Sequence, residues 1–124
     1  MTILDTSALV RFFAKDDPAK AEKVKILLTS EEDLYLPDAV FVELQYVLLK
    51  VYKTSREDIV RAFRFLVAVS HLRVTAQARD AVELFGRSTL SFADCLVGMH
   101  AQGNKLASFD EKLIKTAKSD AYWK

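Results

Sequence analysis

Thr2-Ile3-Leu4-Asp5-Thr6-Ser7-Ala8-Leu9-Val10 changes character in its middle. Thr2 to Leu4 reads as a short strand, and Thr6-Ser7 then offers hydroxyls that cap a helix running to about Lys15. A single carboxylate, Asp5, stands at the joint. The arrangement recurs near the other end of the chain. Lys105-Leu106-Ala107-Ser108 reads as a strand, Asp110 follows Phe109, and Glu111 to Ala117 forms a short final helix.

Between these ends, short strands alternate with helices. Asp16-Asp17-Pro18 restarts a helix whose apolar stripe is Ala21, Val24, Leu27 and Leu28. Leu34-Tyr35-Leu36 is a strand stopped by Pro37, and Asp38 caps a strongly apolar helix to about Tyr52. Ser55 and Asp58 have capping-box spacing for a helix to about Ser70. Leu72-Arg73-Val74 is a strand, and a helix follows from Ala76 to about Gly86. Ser91 begins another helix, stopped near Gly103. Ala121-Tyr122-Trp123 is either a fifth strand or an ordered tail. The alternation predicts an α/β domain with a parallel sheet of four or five short strands, covered by helices on both faces. In such sheets ligands gather beyond the carboxyl ends of the strands, near the point where strand order reverses. Asp5 and Asp110 both lie at that edge.

Two further acids sit inside apolar helical runs. Glu43 is embedded in Ala39-Val40-Phe41-Val42-Glu43-Leu44, and Asp94 in Phe92-Ala93-Asp94-Cys95-Leu96-Val97. Neither has a cation three or four residues away, so no local helical ion pair accounts for it. A charge beside a core is costly unless it is paired or binds a metal. Each acid also has a plain structural role available. Asp5 and Asp110 can cap helices, and Ser91 and Asp94 match a capping box. Glu43 borders the helical face of Val40, Leu44, Val47 and Val51, where it needs a partner from elsewhere in the fold. Jointly, four such acids predict one divalent-cation site in one cleft. Crowded carboxylates repel and resist ionising. Mg²⁺ or Mn²⁺, hard ions that prefer oxygen, relieve that repulsion.

Composition limits the alternatives. A chain of 124 residues with 51% hydrophobic and 28% charged content suits one domain, residues 1–124, with a sizeable core. A net charge of +1 gives no global basic footprint for nucleic acid. The lone Cys95 forms no internal disulfide and reads as a core residue of a protein in a reducing compartment. No apolar stretch reaches the roughly 20 residues of a membrane span, and the N-terminus lacks a signal-peptide pattern, so the cytoplasm is the expected location. No histidine–cysteine cluster suits zinc, no Gly-rich loop suits nucleotide phosphates, and no serine–histidine signature is present. Arg11, Lys15, Lys50, Lys53, Arg56, Arg61 and Arg64 read first as solvated surface and second as phosphate contacts. Phe12, Phe13, Phe63 and Phe65 read as core or dimer contacts.

The four acid motifs, in this order and in a chain of this size, resemble those of the PIN-domain nucleases, especially the small VapC-type toxins of toxin–antitoxin modules. The matching segments are Asp5-Thr6-Ser7-Ala8-Leu9, Glu43 on a helix after a strand and proline, Leu90 to Val97 around Asp94, and Ser108-Phe109-Asp110. Cys95 stands where the family usually has a smaller residue. The resemblance implies a three-layer α/β/α fold and Mg²⁺- or Mn²⁺-dependent endonucleolytic cleavage of RNA. It implies Asp5 and Asp94 as direct metal ligands, with Glu43 and Asp110 binding directly or through water. Ser7 and Ser108 would support them by hydrogen bonding. It also implies a homodimer and a cognate antitoxin whose C-terminal segment covers the cleft. Two other classes are open to such a sequence. One is a catalytically silent PIN-like module that binds RNA or protein; the intact acid set argues against it. The other is a phosphotransfer domain with Asp5 as nucleophile, which expects a second acid where Ser7 stands.

Overall fold

The computed structural model describes residues 1–124. The chain forms two compact units, Met1–Thr75 and Ala76–Lys124. The first contains β1 (Thr2–Ile3), α1 (Thr6–Ala14), α2 (Pro18–Thr29), β2 (Leu34–Tyr35), α3 (Asp38–Lys50), α4 (Arg56–Ala68) and β3 (Leu72–Arg73). The second contains α5 (Ala76–Gly86), α6 (Phe92–His100), β4 (Lys105–Leu106), α7 (Glu111–Ala117) and β5 (Asp120–Ala121). The α/β class and the parallel pairing match the sequence reading. No helix is long and apolar enough to cross a membrane.

In the first unit β2 lies between β1 and β3, with Thr2 opposite Leu34 and Leu34 opposite Leu72. The ladder bonds extend one residue beyond the strands themselves. The Leu4 N–H donates to the Tyr35 carbonyl at 2.9 Å, and the Leu36 N–H to Arg73 at 2.9 Å. Leu4, Leu34, Leu36 and Leu72 are all buried, so the sheet is fixed by its apolar residues as much as by its few bonds. Helix α1 packs on α2 and α3, and α3 on α4. Phe41 of α3 meets Phe63 of α4 edge to face, centroids 5.2 Å apart, and both rings are fully buried.

The strands of the parallel sheet are short, two residues each. Five strands form, but they pair as a three-stranded set, β1-β2-β3, and a two-stranded set, β4-β5. The order β1-β2-β3 contains no reversal, so strand order within that set marks no switch point. The undecided C-terminal segment is resolved as well. Asp120–Ala121 is a strand, and Tyr122–Trp123 continues beyond it, held where the Tyr122 N–H donates to the Leu106 carbonyl at 2.9 Å.

Asp38 also departs from its expected role. Pro37 is the N-cap of α3 and makes no side-chain capping bond. The Asp38 carboxylate instead accepts from the Thr75 hydroxyl at 2.7 Å, joining the start of α3 to the end of the first unit. Thr75→Val keeps the shape and deletes this part-buried bond. It is expected to cost about 1–2 kcal/mol, read as a lower urea midpoint with an unchanged slope.

In the second unit α6 packs on α5 and α7. Gly98 of α6 is buried, and a Cβ added there would stand 3.0 Å from the Ala117 Cβ of α7. Helix α7 can approach α6 this closely because Gly98 has no side chain. Gly98→Val forces the helices apart or distorts rotamers, and is expected to cost about 1–3 kcal/mol in a thermal or urea melt.

Candidate functional site

Each acid is placed by the helix it begins or belongs to. Asp5 is the N-cap of α1, and Asp110 is the N-cap of α7. One oxygen of Asp5, Oδ2, accepts from the Ser7 backbone N–H at 3.2 Å and from the Ser7 hydroxyl at 2.7 Å. The capping role that Thr6 and Ser7 offered therefore belongs to Asp5, and Ser7 supports it. Asp110 repeats the pattern in the second unit. Its Oδ1 accepts from the Leu113 N–H at 3.0 Å, while its own N–H donates to Ser108 Oγ at 3.0 Å. Ser7 and Ser108 thus both bond to the acid two residues away, one at its carboxylate and one at its backbone.

Asp94 lies in the first turn of α6, capped by Ser91, whose Oγ accepts from the Asp94 N–H at 3.1 Å. The cap uses only the backbone of Asp94; its carboxylate makes no hydrogen bond or ion pair. Asp94 is half-buried, whereas Asp5, Glu43 and Asp110 are exposed. For Asp5, Glu43 and Asp110 that corrects the argument that these charges border the core. For Glu43 the correction is largest. The buried face of α3 is Val40, Phe41, Leu44 and Leu48, while Val51 is exposed. Glu43 points away from that face and needs no partner to be tolerated there, and it has none.

Ionisation of Asp5 is favoured. The Ser7 hydroxyl, and after it the Ser7 backbone N–H, hold its carboxyl below the usual range. Beyond the other end of α1, Asp16 accepts from the Tyr52 hydroxyl at 2.8 Å and from Arg11 Nη1 at 2.8 Å. Those bonds lower the Asp16 carboxyl, Tyr52 first, and the same contact raises the Tyr52 phenol. They join the C-terminal ends of α1 and α3.

The donor set suits a hard divalent ion. All four candidates are carboxylates, Glu43 and Asp94 carry no competing bond, and Asp5 and Asp110 each engage a single oxygen in capping. Within neither unit do three or more acidic, histidine or cysteine side chains gather into a metal-binding group. Asp5 and Glu43 belong to the first unit, Asp94 and Asp110 to the second.

A cavity of about 290 Å³ adjoins Ser7 and is lined also by Ala8, Arg11, Lys20, Lys23 and Val24. Lys20 and Lys23 have no distinguishing signal in the sequence, where α2 is marked only by its apolar stripe. Arg11 pairs with Asp16 at 2.8 Å and Lys20 with Asp17 at 3.9 Å, whereas Lys23 has no acid partner. Of the other cations weighed, Arg61 is engaged by Glu57 at 2.9 Å. A larger, mainly apolar cavity of about 600 Å³ lies among α1, α2 and α4, bordered by Phe12, Pro18, Leu28 and Phe65. Phe63 is core, as expected, and Phe12, Phe13 and Phe65 form one aromatic cluster beside that cavity.

Residues 2–119 match the PIN domain family, a span that includes every one of the four acids and both supporting serines. The chain belongs to the PIN-domain family. The family carries the expected α/β/α fold class, here with short strands. This PIN domain is also similar to a VapC ribonuclease of Aquifex aeolicus (strain VF5), at 29% identity over 108 residues. That similarity covers 82% of this chain and 79% of the Aquifex protein. No solved structure gives a match.

Proposed function

We propose that residues 1–124 act as a single PIN-like nuclease domain, a Mg²⁺- or Mn²⁺-dependent endoribonuclease and the toxin of a toxin–antitoxin pair. The observation that carries this reading is the intact set Asp5, Glu43, Asp94 and Asp110 inside the PIN match, each with carboxylate oxygen left unbonded. Similarity to a VapC ribonuclease supports RNA as the substrate. It also supports a cognate antitoxin as the partner and the cytoplasm as the location.

The proposed roles follow from the bonding of each acid. Asp5 and Asp94 would hold the ion directly; Asp5 presents the oxygen that Ser7 does not occupy, and Asp94 presents an unencumbered carboxylate. Glu43 and Asp110 would bind it directly or through water and would orient the attacking water. When bound, such an ion would lower the pKa of a water and neutralise charge on the phosphoryl oxygens. Ser7 keeps Asp5 ionised, and Ser108 holds the turn that presents Asp110. Arg11, one helical turn from Ser7, and Lys20 and Lys23 of α2 line the same cavity, where a substrate phosphate can sit. The apolar cavity beside Phe12 and Phe65 is a surface suited to an apolar segment of an antitoxin or of a second copy in a homodimer.

The test is cleavage of single-stranded and structured RNAs with Mg²⁺, with Mn²⁺ and with chelator. Internal cleavage that requires the ion and is lost in Asp5→Asn supports the assignment. Cleavage undiminished in chelator removes the metal, and no cleavage of any RNA by the folded protein leaves a silent binding module.

A further inference from the structure

The second unit carries an aromatic stack that the acid site does not explain. Phe109, between Ser108 and Asp110, is 86% exposed. Its ring lies parallel to that of Trp123, with centroids 4.6 Å apart and planes 7° apart. Trp123 is itself half exposed, at 52%, and Tyr122 meets it edge-on at 5.3 Å. Phe109 is therefore covered on one face and open on the other. The stack is anchored from below by the β4–β5 pairing and the Tyr122–Leu106 backbone bond.

We propose that the open face of Phe109, backed by Trp123, is a stacking platform for one unpaired nucleobase of the RNA, set beside the phosphodiester that Asp110 helps to cleave; this rests on the nuclease reading above. Three features favour a base over a protein surface. Consecutive Cα atoms lie about 3.8 Å apart, so the platform adjoins a proposed site carboxylate in the chain. A parallel, pre-stacked aromatic pair repeats the geometry in which bases add to a stack, and every base has a face to offer. Residues 105–124 hold five lysines and three acids, and only Lys124 among those lysines is paired, with Asp120 at 3.0 Å. The segment thus carries an excess of positive charge, which suits a polyanion. As an interface between copies the patch is small. Three aromatic side chains cover about 150–250 Å² each, below the roughly 800 Å² per partner of a stable complex.

Trp123 is the only tryptophan, so its emission reports on the stack alone. The experiment titrates the cleavage-deficient Asp94→Asn protein, in chelator, with a short single-stranded RNA and with an abasic ribose-phosphate oligomer of equal length. RNA is expected to quench Trp123, and the abasic oligomer to bind about 10-fold more weakly without quenching. Phe109→Ala is expected to weaken RNA binding and, in the otherwise unaltered protein, kcat/KM by about 10-fold, with Phe109→Tyr restoring both. Equal quenching by the abasic oligomer, or full cleavage by Phe109→Ala, overturns the platform while leaving the nuclease reading intact. Base-dependent quenching by a protein that cleaves no RNA does the reverse. Emission that changes with protein concentration alone, together with a doubled mass that Phe109→Ala abolishes, makes the patch a dimer contact and also overturns the proposal.

Discussion

Asp94→Asn is expected to lower RNA cleavage by about 10²–10⁴-fold while leaving the fold intact. Asparagine keeps the shape of aspartate, and the bond that matters locally runs from the residue 94 backbone N–H to Ser91 Oγ at 3.1 Å, which the substitution does not touch. The carboxylate itself has no protein partner to lose. A change in stability below about 1 kcal/mol is therefore expected, smaller than the loss of a true cap. The measurement pairs single-turnover cleavage with a urea melt. Cleavage within a few-fold of the unmutated rate, with the fold preserved, would leave Asp94 as a first-turn acid and nothing more.

The second large effect is on metal-dependent stability. An ion that binds only the folded site raises stability by about 2.7 kcal/mol at a hundredfold excess over its dissociation constant. In a chain of this size that is a rise of roughly 10 °C in melting temperature. Asp5→Asn is expected to remove most of that rise and all measurable cleavage. Its metal-free behaviour differs from what carboxylate crowding alone suggests. The Ser7 bonds lower the folded-state pKa of Asp5, so their contribution is present above the ordinary carboxylate range and is lost as pH falls through the lowered value. Near neutral pH the metal-free mutant should then be as stable as the parent or slightly less so, since asparagine is itself a good N-cap. Its stability should also depend less on pH at the acid end. Thermal melts of both proteins across a Mn²⁺ titration at fixed ionic strength decide the matter. A mutant that keeps the full Mn²⁺ response would make Asp5 a cap without a metal.

Local signals were read well from the sequence where the chain itself sets them. Helix α5 spans Ala76–Gly86 and α7 spans Glu111–Ala117, as expected, because a glycine ends one and an aspartate cap begins the other. Helix α6 ends at His100 rather than near Gly103, since a turn at Ala101–Gly103, with Gly103 at φ 77°, intervenes. Pairing was less legible. Alternation predicts four or five parallel strands, but whether the last segment pairs, and which strands lie side by side, depends on long-range contacts that periodicity does not encode. Glu43 shows the same limit in the site. A helical wheel located it beside Val40 and Leu44, but only packing shows that the covered face turns toward Phe41 and Leu48. Phe109 and Trp123 lie 14 positions apart, and nothing local joins them.

Asp5 and Asp110 each tie one oxygen to the first turn of their own helix and leave the other unbonded. A carboxylate held this way has little rotamer freedom left to surrender on binding an ion, so the entropy of ordering it is spent during folding. The converse holds for the backbone. An ion that pulls on either carboxylate also fixes the amide proton that the same group accepts. Occupancy of the proposed metal site should thus be recorded in the hydrogen-exchange rates of two amides far apart in the chain, Ser7 and Leu113, with no substrate present.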